Sequence, residues 1–186
     1  MVIEYARHVA GLKGANTSEV NAKAEHLVID IMDHQKKLLE EGKYGASMRL
    51  GGYICNLIPN TIAYTAYEKA GWMDASKNKA NKRITKEGAY SGKNQIIERH
   101  RHRYEVNPKY VEQLSSAGLV FSGTSPDGHL MEIAELPRGA SDSNNKSKYE
   151  GHPFFLGVQF HPEFLARPLD PHPIFTEFVK ASSKNS

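Results

Sequence analysis

Gly157-Val158-Gln159-Phe160-His161-Pro162-Glu163-Phe164 closes an apolar run that begins at Phe154 and sets a histidine two residues before a carboxylate. Residues 154–160 are mostly aromatic and branched, which predicts a strand. In an extended segment, residues two apart project to the same side, so His161 and Glu163 can share one site. A carboxylate so placed holds one imidazole nitrogen while the other faces a substrate or a nucleophile. The end of a sheet strand is also where α/β folds place ligands. Taken alone, the triplet reads just as simply as a His and a Glu on a solvated loop.

The rest of the chain supplies a mixed pattern. Residues 2–12 are expected to be helical, with Ile3, Ala6, Val9 and Ala10 on one face. That helix opens without a capping residue, and Gly11 and Gly14 end it. Leu27 to Met32 predicts a buried strand, residues 33–46 an exposed loop, and Met48 to Leu57 a strand or hairpin. Asn60 is placed to cap a helix over 61–70 that Gly71 stops. Pro108 fits the first turn of a helix over 108–117 closed by Gly118. Leu119–Ser122 and Leu130–Leu136 read as strands joined by the turn Ser125-Pro126-Asp127-Gly128. Pro173 opens a last helix, with Phe175, Phe178 and Val179 as its apolar face. Residues 72–95 and 138–150 are polar and read as surface insertions. Strands mixed with helices make the fold class α/β, in one domain over 1–186.

The run Glu98-Arg99-His100-Arg101-His102-Arg103 has three readings. Strand alternation puts the arginines on one face and the two histidines on the other. The stretch is then a solvated edge strand, a phosphate or nucleic-acid patch, or the seat of a carboxylate-binding arginine that uses its bidentate fork. No interleaved aromatics support the nucleic-acid reading. A metal site on His100 and His102 lacks further clustered ligands. Cys55 sits in Tyr53-Ile54-Cys55-Asn56-Leu57 without the glycine-flanked elbow that exposes a nucleophile, so it reads as a core cysteine.

Composition narrows the classes. Hydrophobic residues are 39% and charged residues 24% of 186, as in a folded soluble domain. The net charge of +3 is too mild to argue for nucleic acid. One cysteine rules out an internal disulfide and suits a reducing cytoplasmic setting. No apolar run approaches the roughly 18 residues of a membrane span, and the first residues lack the order of a signal peptide.

Five stretches, in order, closely resemble the glutamine amidotransferase domain of CTP synthases. They are Ile3-Glu4-Tyr5-Ala6-Arg7-His8-Val9, Ala15 to Glu19, Met48-Arg49-Leu50-Gly51, Glu98 to Asn107, and Gly157 to Phe164 followed by Arg167-Pro168. Together they cover most of the chain outside the two insertions. The resemblance implies a class I glutaminase fold, flavodoxin-like, with a mixed sheet flanked by helices. It implies an enzyme that releases ammonia from L-glutamine for ATP- and Mg²⁺-dependent amination of UTP, with GTP as activator and a homotetrameric assembly. His161 matches the general base and Glu163 its orienting carboxylate. Glu19 matches the residue that meets the substrate ammonium, and Arg103 the arginine of the glutamine pocket.

In that family a cysteine elbow lies just ahead of the segment matching Ile3-Glu4-Tyr5. Here the sequence begins inside the helix that follows it. The expected account is a truncation, a misassigned start or one part of a split gene, with the nucleophile, the first strands and the synthetase domain outside this chain. The chain alone is then expected to be inactive, to leave a sheet edge unpaired and to carry no cofactor or metal of its own. A competing account is a non-catalytic glutamine-binding or regulatory module derived from a glutaminase. A subunit of another amidotransferase is disfavoured by the arginine–histidine run.

Overall fold

The computed structural model of the chain describes residues 1–32, 35, 40, 41, 48–73, 93–137 and 152–183. In chain order the elements are α1 (Val2–His8), β1 (Asn16–Thr17), β2 (Leu27–Ile31), β3 (Arg49–Leu57), α2 (Ile62–Ala70), β4 (Gln95–His102) and β5 (Tyr104–Val106). A 3₁₀ turn at Pro108–Tyr110, α3 (Val111–Ser116), β6 (Val120–Thr124), β7 (Met131–Leu136), β8 (Phe155–Val158), a 3₁₀ turn at Pro162–Phe164 and α4 (Pro173–Ser183) complete it.

Two sheets organise these elements. One has five strands in the order β4-β3-β6-β7-β8, and the other has three in the order β1-β2-β5. β4 and β5 are nearly continuous in sequence, so the bend at Arg103 carries the chain from one sheet into the other. The long β3–β4 ladder runs from Arg49↔His102 to Asn56↔Gln95. Burial along β4 alternates as expected: Glu98 and His100 are buried, Arg101 is exposed, and Arg99 and His102 are half-buried. Arg103 departs from the pattern because it lies in the bend, outside both strands.

One core cluster packs Tyr5 and Ala6 of α1 and Leu114 of α3 on Val28, Val106, Phe121 and Leu136. A second packs Ala63, Ala66 and Tyr67 of α2 and Ile174 of α4 on Cys55, Ile96 and Ile133. Gly123 is required where they meet the sheet, since a Cβ there would stand 2.7 Å from the Ile133 side chain and 2.8 Å from the Cys55 sulfur. α2 takes its N-terminus from β7: the Ile62 and Ala63 N–H groups donate to the two Glu135 carboxylate oxygens at 2.7 and 3.0 Å. That supplies a buried helix end with the acceptors it needs.

Several sequence expectations are corrected. α1 ends at His8, and Gly11 takes a left-handed φ of +73°. The cap of α2 is Thr61, whose hydroxyl accepts from the Tyr64 N–H, while Asn60 itself adopts φ 65° one step earlier. α4 turns Ile174 and Glu177 inward and leaves Phe175, Phe178 and Val179 exposed. Trp72 is core, packed beside Tyr67 and His172, and Gln95 opens β4, so both ends of the expected 72–95 insertion belong to the fold. Residues 74–92 of that insertion, and all of 138–150, lie outside the described residues. So does most of the loop expected over 33–46, although Gln35 within it is buried.

Candidate functional site

His161 is held by its own backbone. β8 ends at Val158, and the next ladder-like bond is from the Gln159 N–H to the Glu132 carbonyl at 2.8 Å. Phe160 anchors in the second core cluster. The His161 N–H then donates to the Arg99 carbonyl of β4 at 2.8 Å. Pro162 starts the 3₁₀ turn, and the turn folds Glu163 back so that His161 Nδ1 lies 2.7 Å from Glu163 Oε1. The pairing therefore comes from a tight turn, a correction to the extended segment expected from sequence: the proline fixes φ and forbids the strand to continue.

The carboxylate can only accept, so Nδ1 donates, and a ring with its single proton there has an Nε2 lone pair to offer. The imidazole also stacks on Phe164, with centroids 4.8 Å apart and planes 20° apart. Side-chain exposure is 36% for His161 and 56% for Glu163, so a reagent can reach the pair. Partial burial acts to raise the Glu163 pKa, but the hydrogen bond and charge of His161 outweigh it and hold the carboxyl below its usual value.

Register places the other two sequence candidates. Thr17 pairs with Ile29 in the parallel β1–β2 ladder, and Ile31 pairs with Tyr104 in the antiparallel β2–β5 ladder. Glu19, just after β1, and Arg103, just before β5, thus lie at the same end of the small sheet. Glu19 is exposed, and its N–H donates to Thr17 Oγ1 at 3.3 Å. A link joins this end to the histidine: Gln159 Nε2 donates to the Tyr104 carbonyl at 2.8 Å.

Behind the bend lies a buried polar cluster. Arg49 Nη1 meets Glu132 Oε1 at 2.7 Å and Glu105 Oε1 at 3.6 Å, with both carboxylates fully buried. The guanidinium also lies 4.3 Å above the Tyr53 ring. Burial, with the Arg49 charge, lowers His100 to a pKa of about 2 and His102 to about 4, so both rings are neutral. Burial raises Glu105 to about 8 despite the opposing pull of Arg49. A second network ties β4 to the helices: Tyr67 Oη donates to Glu98 at 2.8 Å, and His172 Nε2 lies 3.0 Å from the same oxygen.

Cys55 is wholly buried on β3, and burial pushes its thiol well above the ordinary range, which agrees with its reading as a core residue. Among the described residues, no three His, Cys, Asp or Glu groups are arranged to hold a metal ion. No helix among them is long and apolar enough to cross a membrane.

A family model described as glutamine amidotransferase class-I matches residues 34–181. The chain belongs to the class I glutamine amidotransferases. It is 47% identical over 180 residues to a CTP synthase of Rubrobacter xylanophilus, covering 97% of this chain and 25% of that protein. It is 46% identical over 185 residues to a CTP synthase of Carboxydothermus hydrogenoformans, covering 100% of this chain and 27% of that protein. The chain thus spans about a quarter of the curated relatives' length. Among solved structures, the glutaminase domain of Trypanosoma brucei CTPS with bound acivicin aligns at a TM-score of 0.69 and 33% identity, over 98% of this chain and 56% of that one. The expected class I glutaminase fold is therefore the fold observed.

Sequence reasoning about this amidotransferase missed the supporting residues. Glu132 interrupts the apolar strand β7 and Arg49 opens β3, and a buried charge in such a place requires a partner. That requirement was visible in both strands, but which charge meets which is a matter of register. Gln159 gave no signal beyond its place two residues before His161.

Proposed function

We propose that this chain is the C-terminal glutaminase portion of a CTP synthase, which hydrolyses L-glutamine to supply ammonia for amination of UTP. The observation that carries the reading is the 2.7 Å His161–Glu163 pair, tied by backbone to Arg99 and through Gln159 to the bend at Arg103. Membership of the amidotransferase family supports it.

The roles follow from charge and geometry. Arg103 meets the substrate carboxylate and Glu19 its ammonium. His161 Nε2 takes the proton of a thiol, and the thiolate attacks the carboxamide carbon. The imidazolium returns the proton to the leaving ammonia, and a water activated by the same base then hydrolyses the thioester. Glu163 keeps the ring in the tautomer that can do this. The thiol comes from outside these 186 residues, because the sole cysteine, Cys55, is buried in the core. An apolar cavity of about 620 Å³ lies between Tyr5 of α1, Val9 just past its end and Leu156 of β8. In this reading ATP and Mg²⁺ serve the synthetase domain, GTP activates the intact enzyme, and the assembled protein is a cytoplasmic homotetramer.

Glutamate release by the purified chain tests the reading. None above buffer is expected, since loss of the nucleophile removes many orders of magnitude of rate. L-Glutamine should still perturb the NMR signals of His161 and Arg103. Clear turnover would overturn the external thiol, and an unperturbed spectrum would overturn the substrate assignment.

A further inference from the structure

The Tyr104 carbonyl is a junction. It accepts from Gln159 Nε2 at 2.8 Å and from His102 Nδ1 at 3.2 Å. A carbonyl cannot donate, so His102 carries its proton on Nδ1. Its Nε2 is then an acceptor, and the 2.8 Å contact with His100 Nδ1 requires that His100 donate. The chain of donors is thus fixed in one direction: His100 to His102 to the Tyr104 carbonyl. It works only with neutral rings, which is the state burial enforces. Both imidazoles are well inside the protein, with side-chain exposures of 0% and 11%.

The junction has a definite place. Tyr104 is the first residue of β5, directly after the Arg103 bend. Gln159 reaches it from the segment that follows β8 and leads, two residues on, to His161. The same segment is held at Gln159 N–H by the Glu132 carbonyl, and Glu132 is the partner of Arg49. The carbonyl therefore joins three things: the bend carrying Arg103, the segment carrying His161, and the buried cluster behind them.

We infer that Gln159 and His102 are positioning residues, which act through the Tyr104 carbonyl to fix Arg103 relative to His161. Neither is a catalytic residue. Both serve the separation between the group that grips the amino acid's carboxylate and the base that acts at its other end. The inference rests on the glutamine-site reading of Arg103 and His161. Small displacements at such a site are costly, because a loosely held supporting residue costs geometry in the group it supports.

Three variants of the 186-residue protein test this: Gln159→Leu, His102→Leu and His102→Asn. Asparagine keeps an N–H donor where His102 Nδ1 stands, but gives up the acceptor for His100. Without ligand, the Arg103 backbone and Nε–H signals should move in both leucine variants and return toward wild type in His102→Asn. With L-glutamine, the leucine variants should bind about tenfold more weakly, the worth of one lost hydrogen bond, and His102→Asn should recover most of it. Thermal melts of His102→Leu and His102→Asn separate general destabilisation from positioning. Unmoved Arg103 signals in Gln159→Leu, or identical Arg103 signals in the two His102 variants, would overturn the inference. Failure of wild-type protein to bind glutamine would overturn the glutamine-site reading instead, while the ligand-free signals still decide the positioning.

Discussion

The same residue types occur twice within a short distance and behave in opposite ways. In the cluster behind the bend, Arg49, Glu132, Glu105 and His100 are buried and His102 is half-buried, and the histidines and Glu105 are pushed far from their ordinary pKa values. At the end of β8, His161 and Glu163 form an equally short contact while remaining open to solvent. The difference is the surroundings. In the cluster, desolvation makes every charge depend on a partner, so the groups hold shape. In the exposed pair, water screens the charges, so neither group depends on the other to stay in place.

The largest effect should come from breaking the cluster. Arg49→Met removes the cation that two fully buried carboxylates face. Stranding a buried charge costs about 3–5 kcal/mol, a large fraction of a domain's stability. Urea denaturation should show it, and Arg49→Met with Glu132→Leu should regain part of the loss. An Arg49→Met protein as stable as wild type would remove the cluster's structural role.

A smaller effect should appear with pH. A histidine held neutral in the fold takes up its proton near pH 6.5 when unfolded, so acid favours the unfolded chain; for His102 and His100 this loss begins near 6.5 and continues toward about 4 and about 2. Glu105 has the opposite sign: its folded pKa of about 8 exceeds the ordinary 4.5, so its contribution is complete below 4.5 and drains as pH rises through 8. Between those limits two histidines oppose one glutamate, so stability should rise with pH to about 6.5 and then fall. The loss at pH 5 and at pH 8 should be about 1–2 kcal/mol each. Glu105→Gln should remove the alkaline fall and leave the acid one. A flat profile would mean that these groups are hydrated in the native state.

The contrast also explains how much could be read in advance. Element types were legible because period and punctuation are local: α2 stops at Gly71, and the Ser125–Gly128 turn stands between β6 and β7 where expected. The His161–Glu163 contact was legible because the two residues are neighbours in sequence, even though a 3₁₀ turn brings them together. The buried cluster was not legible as a cluster. Arg49, Glu105 and Glu132 come from three distant segments, and their meeting depends on ladder registers such as Arg49↔His102, which no local pattern specifies. The inward face of α4 was misjudged for a similar reason. Three apolar residues lie on one side of it, but Ile174 and Glu177 are the ones that meet neighbours, and Phe178 overhangs the cavity beside β8.

The smallest effect on stability should come from the exposed pair, and it is the most informative about function. Glu163→Gln replaces an exposed ion-pair partner with a neutral one of the same shape, a change of about 0–0.5 kcal/mol. Thermal melts of the variant and wild type should nearly coincide. The His161 ring should nonetheless respond, because its Nδ1 proton loses the carboxylate that accepts it. The tautomer should also lose its bias toward the Nδ1 proton, which ¹⁵N chemical shifts of the ring report directly. Unchanged stability with a changed imidazole is the signature of a pair kept for chemistry. A large drop in melting temperature would place His161 and Glu163 with the buried cluster, as groups that hold shape.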